Sequence, residues 1–498
     1  MRSYVLGIDI GTGSIKAVAA DESGNIFSGL QRYYNTITER PGYSEQDPST
    51  IMDAFISILK DAVQQIGKPP LAVSLSSAMH SVVPVDKNGS ALSNLMLWSD
   101  SRSGAIAIEI KKLKEAEQIY RETGTPIHSM SPLAKITWLR KHESKLFERA
   151  HKFISIKEYI WYQLFQEFKV DHSLASGTGL FNIQRLKWNI ASLKIAGITT
   201  EQLSEPVPTN YIKAGLNESI ASQVNVSADT RFCIGGSDGC LANLGSHSIN
   251  PGIAAITIGT SGAVRIARTK PLLDYSFMNF NYILDDKLFI CGGPVNNGGN
   301  VLEWILKKFL PSSFSFELAG VFDMVEAVPP GSDGLVFLPY LHGERAPVWD
   351  DQACGVFFGI KSNHGNAHFI RAALEGVCFG LKNILYLLEE ATEPISRVNV
   401  SGGFVQSSAW VQMLADITGK RLCLQQNEDA SAIGAAYLGL KAIGMIGDYP
   451  FAETERKNEV HPRSEFANAY EKNFQVFKKL YPALRDVMEL QWETSNGQ

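Results

Sequence analysis

The chain opens on an apolar run from Tyr4 to Ile8, continues through Asp9-Ile10-Gly11-Thr12-Gly13-Ser14, and resumes an alternating apolar pattern from Lys16 to Ala20. Two such runs around a glycine-rich bend predict strand, tight turn, strand. A polar turn at Asp21-Glu22-Ser23-Gly24-Asn25 leads to a third strand beginning near Ile26, completing a meander. Asp47-Pro48 predicts the start of a helix to about Gln65, and Leu71 to Ser76 reads as a buried strand. Between residues 103 and 220 the pattern is mostly helical, clearest over Ser103–Gln118, Pro132–His142 and Ser155–Phe165. Strand texture returns at Phe232-Cys233-Ile234-Gly235-Gly236-Ser237-Asp238, with a short helix over Cys240–Leu244.

A second apolar run, Ile253–Ile258, then meets the bend Gly259-Thr260-Ser261-Gly262 and a further strand, Ala263–Ala267. With Ile10 laid on Ile258, the two bends read Ile-Gly-Thr-Gly-Ser and Ile-Gly-Thr-Ser-Gly. Each opens a half of the chain, so the pattern predicts an internal duplication. The turn Asn250-Pro251-Gly252 puts the boundary near residues 245–252, giving domains 1–247 and 248–498. The second half continues with helix Gly299–Phe309, strand Leu335–Leu338, helix Asn366–Glu390, strand Arg397–Ser401, helices Ala409–Thr418 and Ala430–Ile443, and an amphipathic helical stretch over Glu465–Glu489.

At 498 residues, 45% hydrophobic and 19% charged, the chain has ample apolar surface for two cores and no mark of disorder. A net charge of −5 offers no basic field for a nucleic acid or an anionic bilayer. No apolar run approaches the ~18 residues of a membrane span, and Asp9 interrupts the N-terminal run, so the expected location is cytoplasmic. Six scattered cysteines without a CxxC pair indicate neither a zinc knuckle nor a disulfide framework.

A glycine-threonine bend can aim backbone N–H groups and a hydroxyl at one point, forming an anion nest; the same bend is also an ordinary hairpin turn. Asp9, at the end of a buried strand, needs a hydrogen bond or a cation, and a Mg²⁺ with its water shell would supply one. Asp238, among Gly235, Gly236 and Gly239, suits a general base at a closely approached backbone, or the N-cap of the helix that follows. Ser401-Gly402-Gly403 reads as a close-approach loop or a plain strand-to-helix turn. The run Ala430-Ser431-Ala432-Ile433-Gly434-Ala435-Ala436 reads mainly as tight helix packing.

Taken together, these residues resemble the FGGY family of carbohydrate kinases. Met130–His142 fits one long family signature, and Gly355–Ile360 followed after seven residues by His368–Glu375 fits the other. The resemblance implies an α/β fold of duplicated actin-like ATPase (ribonuclease H-like) domains with a central ligand cleft. It implies ATP and Mg²⁺ as cofactors, with Asp9 associated with the metal through water, and Thr12, Gly13, Ser14 and Lys16 near the phosphates. Gly259 and Thr260 match the second phosphate loop, Gly299 a further nucleotide contact, and Gly403 and Ser407 the adenosine side, where glycerol-kinase-like members carry Asn in place of Ser407. Asp238 stands at the catalytic base, which makes Asp238 and Asp9 the catalytic pair.

On the sugar side, Ser76–Ser81, Leu97–Arg102, Thr123–His128, Gly292–Gly299 and Leu341–Pro347 resemble the gluconate-kinase subgroup. That implies transfer from ATP to D-gluconate, with Met79, His80, Trp98, Asp100, Arg102 and Asp238 lining the acceptor. A carboxylate substrate suits Arg102 and His80 as donors, although Arg102 also suits a salt bridge with Asp100 or a cap on the following helix. Alternatives are a kinase for xylulose or another ketose or polyol, a non-sugar ATPase of the actin or chaperone type, and a non-catalytic sugar sensor. Family members are often dimers, so a homodimer is an expectation that no stretch of sequence localises.

Overall fold

The computed structural model describes residues 3–310, 318–425, 429–449 and 459–496. These divide into two compact units: unit 1 holds residues 3–249, 267–291 and 429–449, and unit 2 holds 250–266, 292–310, 318–425 and 459–496.

Unit 1 is organised by strands β1 (Tyr4–Ile10), β2 (Ser14–Asp21), β3 (Ile26–Tyr33), β4 (Ala72–Ser77), β5 (Ile212–Lys213) and β6 (Arg231–Ser237), in the sheet order β5-β6-β4-β1-β2-β3. β1 pairs antiparallel with β2 and parallel with β4, which pairs parallel with β6. Both faces of β1 are covered, which is why it reads as a continuous apolar run rather than an alternating one. Tyr4, Leu6, Ile8 and Ile10 share a core cluster with Phe55 and Leu59 of helix Pro48–Ile66. Val5 shares the opposite cluster with Ala432, Ala435 and Ala436 of helix Ala430–Ala442. That helix packs so closely that a Cβ on Gly434 would stand 1.9 Å from the Leu241 carbonyl oxygen, which accounts for its small-residue run as packing.

Unit 2 carries β7 (Ile253–Ile258), β8 (Gly262–Arg268), β9 (Arg397–Ser401), β10 (Arg421–Leu424) and β11 (Glu459–Val460) in the order β8-β7-β9-β10-β11. β7 is antiparallel to β8 and parallel to β9, and β9 is parallel to β10. The four-strand core β8-β7-β9-β10 therefore repeats β2-β1-β4-β6 in order and direction, as the duplicated bends lead one to expect.

Three local expectations need correction. Ser103–Gln118 is not one helix but two pieces, Gly104–Lys111 and Ala116–Thr123. The first buries Ile106, Ala107 and Ile110 and the second Ala116, Ile119 and Tyr120; at 100° per residue those sets lie on different faces of a continuous helix, so a break is needed to bury both. The 103–220 region also holds short strands, including Lys152–Ile154, Lys169–Asp171 and Glu205–Val207, too brief for a periodic signal. The C-terminal helix runs from Ala467 to Asn496. Among the described residues, no helix is long and apolar enough to cross a membrane.

Candidate active site

In unit 1, the C-terminal ends of the parallel strands β1, β4 and β6 deliver Asp9, Ser76 and Ser237-Asp238 to one edge of the sheet. Open α/β sheets place their ligands at such edges. Ser76 Oγ donates to Asp9 Oδ1 at 2.6 Å. Burial, then the neighbouring charge of Asp238, push the Asp9 carboxyl up to about 7, against the opposing pull of Ser76 and Lys16; Asp429 adds a further upward push. Three acids and one lysine thus share this corner. Lys16 Nζ pairs with Asp429 at 2.9 Å.

Sequence reasoning missed Asp429. Its place directly before a helix suggests an ordinary cap, yet its side chain makes no capping hydrogen bond. Asp238, by contrast, is not the N-cap of its helix. Ser237 takes that role, accepting from Cys240 N, and Asp238 occupies the first turn of Asp238–Gly245, its Oδ1 accepting from Gly239 N at 2.6 Å.

The bend between β1 and β2 is held from behind. The Tyr34 hydroxyl donates to the Gly11 carbonyl, Gln46 Nε2 to the Thr12 carbonyl, and Tyr34 N to the Gly13 carbonyl. Trp98 Nε1 donates to Thr12 Oγ1 at 2.9 Å, tying the expected sugar side to the expected phosphate bend. Ser14 Oγ accepts from Gln31 Nε2 at 2.8 Å.

Behind Trp98 lies a lysine that no motif argument singled out. Lys135 is fully buried; its Nζ donates to the His80 carbonyl at 2.7 Å and to the Leu97 carbonyl, and burial pushes its pKa down to about 7. His80 sits at φ 64°, a left-handed conformation unusual for a residue with a Cβ. Its ring bridges the Gly177 carbonyl (2.7 Å) and the Tyr282 hydroxyl (3.1 Å). Met79 is buried beside it, its side chain close against Gly177. Asp100 is buried and holds Arg102 through Nε and Nη2, while Glu45 takes Nη2 as well. The Arg102 guanidinium lies 3.5 Å from the centre of the Tyr43 ring. Of the two readings of Arg102, the salt bridge to Asp100 is therefore present.

In unit 2, Gly299 N donates to the Gly259 carbonyl at 2.7 Å and Gly298 N to the Thr260 carbonyl at 3.2 Å. Gly259, Thr260 and Gly299 thus meet at the start of helix Gly299–Phe309. Gly402 has φ +102°, and a Cβ there would stand 2.2 Å from the Ile258 oxygen, so only glycine lets the Ser401–Gly403 loop close over the end of β7. Ser407 Oγ caps helix Ser408–Thr418 by accepting from Trp410 N at 3.2 Å. Among the described residues, no group of three or more His, Cys, Asp or Glu side chains is placed to hold a metal ion.

Comparison with known proteins agrees with this geometry. Residues 4–245 match the N-terminal domain of the FGGY family of carbohydrate kinases, and residues 254–443 its C-terminal domain. A gluconokinase of Bacillus licheniformis is 41% identical, covering 98% of this chain and 97% of its own. The solved gluconate kinase of Lactobacillus acidophilus superposes with a TM-score of 0.92 at 32% identity, over 97% of this chain and 98% of that one. A xylulose kinase from the same organism superposes with a TM-score of 0.91, also at 32% identity and over the same shares. With its repeated sheets, its paired glycine-threonine bends and both domains matched, the chain belongs to the FGGY family of carbohydrate kinases, enzymes that transfer a phosphoryl group from ATP to a sugar.

Proposed function

We propose that the chain phosphorylates D-gluconate to 6-phospho-D-gluconate, with Asp238 as the general base. The observation that carries the chemistry is the convergence of Asp9, Ser76 and Asp238 at the C-terminal ends of three parallel strands. The charge of Asp238 adds to burial in pushing the Asp9 carboxyl up, which makes this corner receptive to a cation and to a proton. Asp238 accepts the proton of the acceptor hydroxyl as that oxygen attacks the γ-phosphate. Lys16 offsets charge on the transferred group, exchanging Asp429 for phosphate.

With three bend carbonyls engaged from behind, the Thr12, Gly13 and Ser14 side of the loop serves the phosphates. Gly259, Thr260, Gly299, Gly403 and Ser407 serve the nucleotide from unit 2. A Mg²⁺ fits beside Asp9, since it needs only one or two carboxylates and keeps most of its waters, and when bound it neutralises phosphate charge. Met79, His80, Trp98 and Asp100 form the sugar side, with Arg102, already matched by Asp100 and Glu45, fixing its shape.

Gluconate is favoured over xylulose by the 41% identity to a gluconokinase, whereas the fold matches solved kinases of both sugars equally well. An ATP-consumption assay across gluconate, xylulose, glycerol and ribulose tests the assignment. Gluconate should lead in kcat/KM by about 100-fold or more, because a site that pairs with a polar group of its substrate loses that pairing with an acceptor that lacks the group. A higher kcat/KM for xylulose overturns gluconate, and ATP turnover indifferent to any sugar overturns the kinase mechanism drawn here.

Lys135 gives a separate expectation. Lys135→Met removes both hydrogen bonds to the His80 and Leu97 carbonyls and should raise the sugar KM by about tenfold, leaving the KM for ATP within about twofold. Steady-state kinetics in both substrates check this.

A further inference from the structure

Strand β6 breaks its pairing with β4 between Cys233 and Gly236, immediately before Asp238. Gly235 turns left-handed there at φ +72°, where a Cβ would lie 1.7 Å from the Leu75 oxygen. Such bulges re-aim the residues that follow them. The two residues that follow this one are each held by a buried side chain from elsewhere in unit 1. Lys157 Nζ donates to the Gly236 carbonyl at 2.8 Å. Ser173 Oγ accepts from Ser237 N at 3.1 Å and donates to Ser237 Oγ at 2.9 Å.

The two tethers are themselves joined. Lys157 pairs with Asp171 at 2.7 Å, their side chains 2% and 0% exposed. Asp171 Oδ1 accepts from Leu174 N at 2.9 Å, capping helix His172–Ser176, which carries Ser173. An ion pair buried this deeply contributes little net stability compared with apolar residues of the same volume, because both charges lose their water. What it supplies is a fixed direction for the Gly236 carbonyl and for the helix behind Ser237.

We propose that Lys157, Asp171 and Ser173 are positioning residues that aim the Asp238 carboxylate at the acceptor hydroxyl through the backbone of Gly236 and Ser237. None is assigned contact with substrate. The inference rests on Asp238 being the base, and its test separates the two.

Ser173→Ala is measured alone and together with Asp238→Asn, using ATP and the acceptor that leads the sugar series. Alone, Ser173→Ala should lower kcat by about tenfold with both KM values within about twofold, a loss confined to the transition state. In the Asp238→Asn background it should cause no further loss, because there is no base left to aim. Lys157→Met, a second variant that leaves the serine in place, should follow the same pattern.

Wild-type kcat in both single variants overturns the proposal. So does an equal loss in both backgrounds, which marks a general structural effect. If Asp238→Asn alone keeps wild-type turnover, the base assignment falls and takes the positioning role with it.

Discussion

Asp238→Asn should lower kcat by roughly 100-fold or more, with the KM values for ATP and sugar within a few-fold of wild type. The amide has the shape of the carboxylate, and its oxygen can still accept the bond from Gly239 N, so the first turn of the helix keeps its geometry. What is lost is the capacity to take a proton from the attacking hydroxyl. Removing this charge also relieves Asp9, whose carboxyl Asp238 helps to hold up near 7, so Asp9 should titrate lower in the variant. Kinetics over a pH series, with circular dichroism to confirm the fold, provide the check. Turnover within about threefold of wild type removes Asp238 from the chemistry.

The second large effect concerns Asp9 and separates activity from stability. Asp9→Asn should abolish most of the metal-dependent turnover while making the ligand-free protein more stable at neutral and alkaline pH. The folded carboxyl titrates near 7 against 3.8 for the free group, chiefly because of burial. Between those values the folded state keeps a proton that the unfolded chain has released, so stability falls as pH rises through this window. The cost of ionising Asp9 is absent below about pH 4 and complete above about pH 7.

Asparagine avoids that cost. The gain above pH 7 should be roughly 1–3 kcal/mol, discounted from the full shift because Asp9 keeps partial solvent contact, and it should vanish near pH 4. Melting curves of the two proteins at pH 4 and pH 8 measure it. A variant less stable than wild type at pH 8 would contradict the electrostatic account of this corner.

Much of this architecture was legible because it rests on short-range rules. The bends at Gly11–Gly13 and Gly259–Ser261 announce themselves through glycine, and the helix expected over Pro132–His142 has those bounds, opening on a serine cap and a proline. Asp9 stood out as an acid in an apolar strand. Lys135, Lys157, Ser173 and Asp429 did not, for a common reason. Each acts on a backbone or charge far away in sequence: Lys135 on residue 80, Lys157 on 236, Ser173 on 237, and Asp429 on Lys16. No local periodicity encodes such pairings. A buried lysine leaves only a weak trace, a cation within an otherwise apolar helix face, and both Lys135 and Lys157 sit in helices whose buried residues surround them.

The most direct measurement is a crystal structure with gluconate and a non-hydrolysable Mg·ATP analogue. That complex should place the gluconate 6-hydroxyl within about 2.6–3.2 Å of an Asp238 carboxylate oxygen, with Asp9 facing the metal through water. A complex in which the sugar's 6-hydroxyl lies beyond the reach of Asp238, or in which Asp9 faces no metal, would contradict it.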